Sequence, residues 1–325
     1  MGAGGAGGAG GAGGSCDPGA GPAVLVENQR APTAIAVDEV AIYWTSVQTT
    51  TDGTADNGVW KMDKPCGTPV QLAATDLRKP IALTLGGLDV YWSETGRDNL
   101  PSCSGMPNAT RDRVMRTAKA GAGMPGEGTF VDDMCGEATS VSFNAPRVYY
   151  ARPSGWVQSA DPMNAGSPLT LWTNMSGAPQ AVVAQGDEVY WTNPASDSIY
   201  WRKGMMPAAL YADSTSTPWH IGLDGDRIYW TDLHQLFQAS RGAPSVGEVM
   251  TAALGDAAGI AVDADPQGWV YVADGGAAAI VRISKSDDQL TTIASGQDAP
   301  GGIAVDDAYV YWTRPGSGQI WRAPR

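Results

Sequence analysis

Short apolar runs bounded by glycine, aspartate and asparagine recur along the whole chain. The clearest example spans Trp219 to Gln238, where an apolar run at 221–223 leads into a Gly-Asp turn. A second run, 227–232, follows the turn, and a third begins at Gln235. Runs rich in β-branched and aromatic residues between such turn residues favour paired, extended strands. The stretch therefore predicts strand, tight turn, strand, loop and strand.

The same unit occurs seven times, and each copy has a tyrosine in its second strand. Successive tyrosines are separated by 48, 58, 41, 39, 42 and 40 residues: Tyr43, Tyr91, Tyr149, Tyr190, Tyr229, Tyr271 and Tyr311. A period near 40 with several strands per copy is typical of a β-propeller blade. We therefore predict an all-β, seven-bladed propeller with four-stranded antiparallel blades.

The remaining strands of each blade follow the tyrosine-containing strand. Third strands are predicted at 58–63, 112–117, 155–160, 198–203, 235–240, 279–284 and 319–324. Weaker outer strands are predicted at 69–74, 168–173 and 289–295. The last copy lacks a fourth strand, whereas Ala23–Val26 precedes the first copy without an inner strand of its own. Pairing the two termini completes the last blade and removes a free sheet edge.

Five of the second strands contain YWTS, YWSE, YWTN, YWTD or YWTR, each after an IAVD-like strand. These motifs resemble the YWTD repeat propellers of lipoprotein-receptor ectodomains and bacterial propellers related to NHL repeats. The resemblance covers residues 23–325 and implies the propeller fold, although the receptor propellers have six blades and seven copies occur here. Adjacent Tyr and Trp point to opposite faces of a strand. We therefore expect each to pack against a neighbouring blade as framework.

The N-terminal segment differs in composition from the rest of the chain. Its first fourteen residues are Met followed by glycine and alanine, which cannot form a core. We predict a flexible tether over residues 1–22 and one propeller over residues 23–325. Such segments resemble the linkers of bacterial surface lipoproteins, so we expect a natural tether whose signal or lipid-anchored part has been trimmed. A cloning linker is the alternative.

Charge limits the classes of partner. Lys and Arg number 21 against 34 Asp and Glu, giving a net charge of -13. Such a surface repels nucleic-acid phosphates. No stretch approaches the roughly 20 apolar residues that span a membrane. We expect a monomer that binds a protein or a small-molecule or carbohydrate ligand, with no cofactor except an optional divalent metal.

Four cysteines lie in the first half of the chain: Cys16, Cys66, Cys103 and Cys135. We call the bottom the face with the turns between inner and second strands and between third and fourth strands. The opposite face is the top. Topology predicts Cys103 in a loop and Cys135 in a blade-to-blade link at the top of blade two, and the other two cysteines at the bottom. Of three possible pairings, this placement favours Cys16–Cys66 with Cys103–Cys135, which indicates an extracytoplasmic compartment.

Two rings of positions are predicted around the central channel at the top. The residues that open the inner strands are mostly small: Ala34, Pro80, Ser140, Ala181, His220, Gly259 and Gly302. The residues that end the second strands are polar: Ser46, Glu94, Arg152, Asn193, Asp232, Asp274 and Arg314.

The two histidines of the chain fall in this region of blade five. His220 is expected beside Asp232, and His234 follows in the same loop. A histidine with a carboxylate can act as a base or bind a metal. Alternatively, Asp232 binds loop amides and His220 fills the channel. The nucleophile elbow, the P-loop and the zincin motif are absent from the sequence.

We therefore predict a non-catalytic binding or protein-interaction propeller outside the cytoplasm, with its ligand site on the top face near the channel. The candidate ligand-binding residues are His220, Asp232, His234, Glu94, Arg152, Asn193, Asp274 and Arg314. The alternative is a metal-dependent hydrolase, lactonase or lyase centred on His220, Asp232 and His234.

Overall fold

The protein is described from a computed structural model. The structure describes residues 19, 21–47, 57–74, 79–95, 111–121, 128–135, 138–174, 176–213 and 216–325, with the backbone alone at 74, 111–112 and 132–135. Its strands form seven sheets of four antiparallel strands, and each sheet is one blade.

In chain order, β1 (Ala23–Val26) precedes the first complete blade. Blade one contains β2 (Pro32–Val37), β3 (Ala41–Ser46), β4 (Gly58–Asp63) and β5 (Val70–Ala74). Blade two contains β6 (Lys79–Gly86), β7 (Asp89–Thr95), β8 (Arg111–Ala118) and β9 (Gly128–Cys135). Blade three contains β10 (Ser140–Asn144), β11 (Arg147–Arg152), β12 (Trp156–Asp161) and β13 (Asn164–Thr173).

Blade four contains β14 (Val182–Gln185), β15 (Glu188–Asn193), β16 (Ser198–Lys203) and β17 (Ala209–Asp213). Blade five contains β18 (His220–Leu223), β19 (Arg227–Thr231), β20 (Leu236–Ser240) and β21 (Glu248–Thr251). Blade six contains β22 (Ala257–Val262), β23 (Trp269–Asp274), β24 (Ala279–Ser284) and β25 (Leu290–Ala294). Blade seven contains β26 (Ile303–Val305), β27 (Tyr309–Arg314) and β28 (Gln319–Pro324). Single turns of 3-10 helix follow β15 and β27, at Pro194–Ser196 and Pro315–Ser317.

The N-terminal strand completes the last blade, as predicted. β1 pairs antiparallel with β28, with Ala23 opposite Arg322 and Val24 opposite Trp321. Leu25 and Val26 are buried with residues of blades one and seven. The inner strands contact one another in ring order, and β26 contacts β2. The seven blades therefore form a closed ring.

The Tyr-Trp pairs lie between blades, which confirms their predicted role as framework. Tyr229 packs with Val270 and Val272 of blade six, whereas the adjacent Trp230 packs with Tyr190 of blade four. Both side chains are fully buried. Alternation along one strand thus joins each blade to both of its neighbours.

Three outer strands had no prediction, and one cysteine is placed differently. β9, β17 and β21 complete blades two, four and five.

Cys135 is the last residue of β9 and not part of the link to blade three, although it remains at the top end of that strand. Cys16 and Cys103 lie outside the described residues. Cys66 is disulfide-bonded, and no cysteine of the described part is free; its predicted partner stays a prediction.

A carboxylate, a tyrosine and a cation recur at the bottom of the blade interfaces. Between blades five and six, Lys285 Nζ donates to Asp224 Oδ2 at 2.7 Å, and the Tyr229 hydroxyl donates to the same oxygen at 2.9 Å. We call this arrangement a latch. Two further latches contain lysine: Asp38–Tyr43–Lys119 and Asp306–Tyr311–Lys64. Two interfaces contain arginine in the cation position: Glu188–Arg241 and Asp263–Arg325. The latches tie consecutive blades together.

Candidate binding surface on the top of blade five

Blade five places its two histidines at the top because its inner and second strands meet there. β18 begins at His220, and β19 ends at Thr231, directly opposite in the register. The Trp219 amide donates to the Thr231 carbonyl at 2.9 Å, so the pairing extends one residue beyond β18. Trp219 and Asp232 therefore leave the sheet together at the top.

The Asp232 carboxylate holds the loop that follows it. Its Oδ1 accepts the amides of His234 at 2.7 Å and Gln235 at 2.5 Å. Its Oδ2 accepts the Ser216 hydroxyl from the link between blades four and five. The side chain is buried. Both carboxylate oxygens are thus engaged in local structure.

The His220 imidazole lies against blade six. It hydrogen-bonds the backbone of Ala257, the first residue of β22, and the carboxylate that acts on it is Asp256. Burial lowers the pKa of His220 below its usual value, while Ala257 and Asp256 oppose that shift. Burial therefore favours the neutral form of the ring, which joins blades five and six.

The small residues of the first ring are explained by the close approach of inner strands. A Cβ atom on Gly302 would lie 2.5 Å from the Thr33 carbonyl oxygen, and one on Gly259 would lie 3.0 Å from the Gly301 carbonyl oxygen. Larger side chains do not fit at these two positions without a shift of the neighbouring backbone.

The other acidic and amide members of the second ring also hold loops. Asp274 accepts the amides of Gly255 at 2.8 Å and of Asp256 and Ala277 at 2.9 Å. Asn193 accepts the Ala178 amide at 2.8 Å. These carboxylate and amide groups stabilise the backbone at the top.

Glu94 and the two arginines of the ring contact their own blades. Glu94 accepts Trp92 Nε1 at 2.8 Å and is buried. Arg152 donates to Gln158 at 3.1 Å, and the Arg314 guanidinium lies 5.3 Å from the ring centre of Trp321. Ser46 is buried at the end of β3. The structure therefore distributes the predicted ring over separate blades.

A more compact surface lies beside His220. Trp219 is 38 % exposed and Leu233 46 % exposed, and the neighbouring His234 is also exposed. The Leu233 carbonyl accepts the Ala257 amide at 3.0 Å, and the His234 carbonyl accepts the Leu254 amide at 3.1 Å. These bonds fix the loop against the link to blade six. We call Trp219, Leu233 and His234 the blade-five surface.

Sequence reasoning named both histidines and Asp232 but not Trp219, Leu233, Ser216 or Asp256. The sequence does distinguish Trp219 and Leu233, because both are large apolar residues that lie outside the strands at the top. The contacts of Ser216 and Asp256 depend on how neighbouring links pack, which a repeat pattern does not specify.

The top face of the described part does not assemble a metal centre. No group of three or more His, Cys, Asp or Glu side chains in the described ranges is arranged to hold an ion. The Asp232 carboxylate already accepts three hydrogen bonds, from Ser216, His234 and Gln235. The donor set on blade five therefore fits a metal poorly.

Two cavities formed by described residues lie at the bottom of the ring. One cavity of about 540 Å³ lies between blades seven and one, where Asp306, Tyr309 and Arg322 contribute to its wall. A second, of about 240 Å³, lies beside the Asp224–Lys285 latch. Neither cavity is lined by a residue of the blade-five surface.

Comparison with known proteins gives the fold and no family. No protein-family model matches the chain, and no curated protein matches it. The chain is similar to virginiamycin B lyase from Staphylococcus aureus, with 13% identity, a TM-score of 0.69, and coverage of 93% of this chain and 97% of that one. A streptogramin B lyase gives 13% identity, a TM-score of 0.67, and coverage of 92% and 95%.

A third similar structure comes from a complex of nidogen with laminin. It gives 17% identity and a TM-score of 0.51, and covers 63% of this chain and 82% of that chain. At these identities the likeness shows the propeller fold alone. The similarity to YWTD and NHL-related propellers therefore remains a resemblance of motifs. No helix of the described residues is long and apolar enough to span a membrane.

Proposed function

We propose that this chain is a non-catalytic binding or protein-interaction propeller outside the cytoplasm, with its ligand site on the top face near the channel. The Asp232 carboxylate supports this proposal most directly. It accepts hydrogen bonds from the Ser216 hydroxyl and the His234 and Gln235 amides, so it is not free to act as a base or a metal ligand.

The exposed part of the blade-five surface suits a protein partner. Trp219 and Leu233 offer apolar area beside the His234 imidazole, and aromatic side chains rimmed by polar groups are favoured where proteins bind one another. Nidogen, one of the similar propellers, was solved in a complex with laminin. The proposed ligand is therefore a protein segment, and the chain acts as a monomer.

The extracytoplasmic location is supported by the cysteines and the N-terminal composition. Cys66 is disulfide-bonded, and disulfides persist in oxidising compartments. The proposed pairs remain Cys16–Cys66 and Cys103–Cys135. The glycine- and alanine-rich segment of residues 1–22 supports a tethered or secreted protein of bacterial lipoprotein type.

An enzyme is the second candidate function. The observation in its favour is the similarity to two lyases over more than 90% of both chains. In that case a metal-dependent hydrolase, lactonase or lyase would use His220, Asp232 and His234, with Asp232 released from its loop contacts.

Metal content separates the two candidates. The full chain is dialysed against Mg²⁺, Mn²⁺, Ca²⁺ or Zn²⁺, and bound metal and thermal unfolding are measured with and without a chelator. Our proposal predicts much less than one metal per chain and an unchanged melting temperature. One metal per chain that is lost in the His220→Ala, His234→Ala double variant would establish the enzyme candidate instead.

Partner capture tests the surface itself. The chain is cross-linked to envelope proteins of its source cells, and the Trp219→Ala, Leu233→Ala double variant is compared with Leu169→Ala. Leu169 is 41 % exposed on the outer strand of blade three. We expect the double variant to lose the captured protein while the control retains it; equal capture by both variants would refute the assigned surface.

A further inference from the structure

Large exposed apolar side chains concentrate on the bottom of the ring. Five of the seven blades carry one or two of them in a bottom turn, and each is between 61 % and 93 % exposed. We call these residues the tip ring: Val40, Leu88, Met163, Met205, Met206 and Val246. On the top, the large exposed apolar residues of the described part are Trp219 and Leu233.

Several tips are held by structured turns. Asp38 Oδ1 accepts the Val40 amide at 3.1 Å, and Asp161 Oδ1 accepts the Met163 amide at 2.8 Å. Leu88 follows Gly87, whose φ of 57° is one that glycine adopts easily. The apolar residue is therefore displayed at the apex of a fixed turn, where it contributes little to the core.

The spacing of the tip-ring residues suits a lipid bilayer surface better than a protein interface. The tips sit on five different blades, and the charged side chains of Lys64, Lys119 and Lys203 lie on the same face. A protein interface needs a contiguous, shape-matched centre. Separate apolar side chains that point in one direction can each enter the boundary between lipid headgroups and acyl chains.

The chain enters the propeller on this same face. β28 runs from the top at Gln319 to the bottom at Pro324, and β1 is antiparallel to it with Ala23 opposite Arg322. Residues 1–22, the glycine- and alanine-rich segment, therefore attach at the bottom. A tether attached there draws the bottom, and not the top, toward its point of attachment.

Charge narrows the kind of lipid. Exposed carboxylates share the bottom face with the tips: Asp226, Asp265, Asp287, Asp288 and Asp307. The chain as a whole carries a net charge of -13. Anionic headgroups would repel this face, whereas zwitterionic headgroups would not.

We propose that the bottom face rests on a zwitterionic lipid bilayer, with the tip ring inserted at the level of the headgroups and acyl-chain ends. The blade-five surface on the opposite face then points away from the membrane. This inference does not rest on the ligand proposed for the top, because none of the tip residues contributes to that surface.

Flotation with vesicles tests the proposal on the full chain. We expect the wild type to float with phosphatidylcholine vesicles and to float less as phosphatidylglycerol replaces phosphatidylcholine at low salt. The Leu88→Asp, Met205→Asp double variant should lower the partition coefficient about tenfold or more, because each tip loses the transfer of a large apolar side chain.

A matched control separates tip insertion from general loss of apolar surface. Val249→Asp changes a residue that is 50 % exposed on the outer strand β21, away from the bottom turns, and should bind as the wild type does. Met163→Asp, at a side chain 93 % exposed, is the second tip variant in case the double variant does not fold.

Three results would overturn the proposal. The first is a wild type that does not float with any vesicle. The second is tip variants that float as well as the wild type. The third is a wild type that forms dimers without lipid and loses them on Leu88→Asp, since the tips would then contact a second copy of the chain.

Discussion

Lys285 offers the sharpest test of how the blades are joined. Its side chain is fully buried, and its ammonium donates to Asp224 at 2.7 Å and to the carbonyls of Asp263 at 2.5 Å and Asp265 at 3.0 Å. Lys285→Met keeps an unbranched stem of similar length and removes the charge. The Asp224 carboxylate, which is 2 % exposed, then stays buried without its cation.

The expected loss is large because one partner of a buried ion pair is left unpaired. Such a change typically costs about 3–5 kcal/mol of unfolding free energy. Lys119→Met is the matched control, since Lys119 forms the same latch with Asp38 at 2.9 Å but both side chains are more than 20% exposed. Solvent screening limits that loss to about 1 kcal/mol or less.

Urea unfolding at pH 7 measures both losses from the midpoint and slope. A double-mutant cycle with Asp224→Asn isolates the pair, because Asp224→Asn, Lys285→Met removes both charges and should recover part of the stability. If Lys285→Met and Lys119→Met lower stability equally, burial does not determine the strength of the latches.

Three further predictions concern pH, the top loop and the framework. Burial opposes ionisation of Asp224, but Lys285 and the amides of Asp226 and Arg227 lower its pKa below 3.8 overall. The stability that ionised Asp224 contributes is therefore complete above about pH 5 and is lost as the pH falls below 3.8. Lys285→Met should make the free energy of unfolding less dependent on pH in that range. Asp232→Ala should cost about 1–3 kcal/mol and speed hydrogen exchange at the His234 amide, whereas unchanged exchange would contradict its role in the loop. Trp230→Ala should cost about 3–5 kcal/mol in urea unfolding because the side chain is fully buried between blades, and a loss below about 1 kcal/mol would contradict its framework role.

The repeat pattern predicted the blades because each one uses the same apolar alternation. The third strands at 58–63, 198–203, 279–284 and 319–324 coincide with β4, β16, β24 and β28. The outer strands β17 and β21 were not predicted. Both are short and partly exposed edge strands, so their alternation of apolar and polar residues is weak.

The cations of the latches occur at a regular position in the sequence, but the alternation of apolar and polar residues within strands does not reveal their role. A Lys or Arg follows the third strand directly at 64, 119, 241, 285 and 325. Strand patterning considers side chains within one blade, whereas these cations reach a carboxylate of the preceding blade. Their role becomes visible only when consecutive blades are placed side by side.

The sequence predicts where His220 lies in the fold but not which residues its side chain contacts. Register places His220 opposite Thr231 and near the top, as the strand pattern predicts. Its imidazole hydrogen-bonds Ala257 of blade six, at a point where the pairing of β22 shifts register between Ala257 and Gly259. Side-chain direction at such a point follows from packing between blades and not from the repeat.

β1 closes the ring of blades, and a pair of truncated chains tests this closure directly. Unfolding in urea is measured for residues 23–325 and 27–325; both chains lack Cys16, so the proposed Cys16–Cys66 bond contributes to neither. The shorter chain loses Leu25 and Val26, which are 4% and 5% exposed. At about 1.5–3 kcal/mol for each buried side chain, it should be less stable by about 3–6 kcal/mol. Equal stability of the two chains would contradict closure by β1.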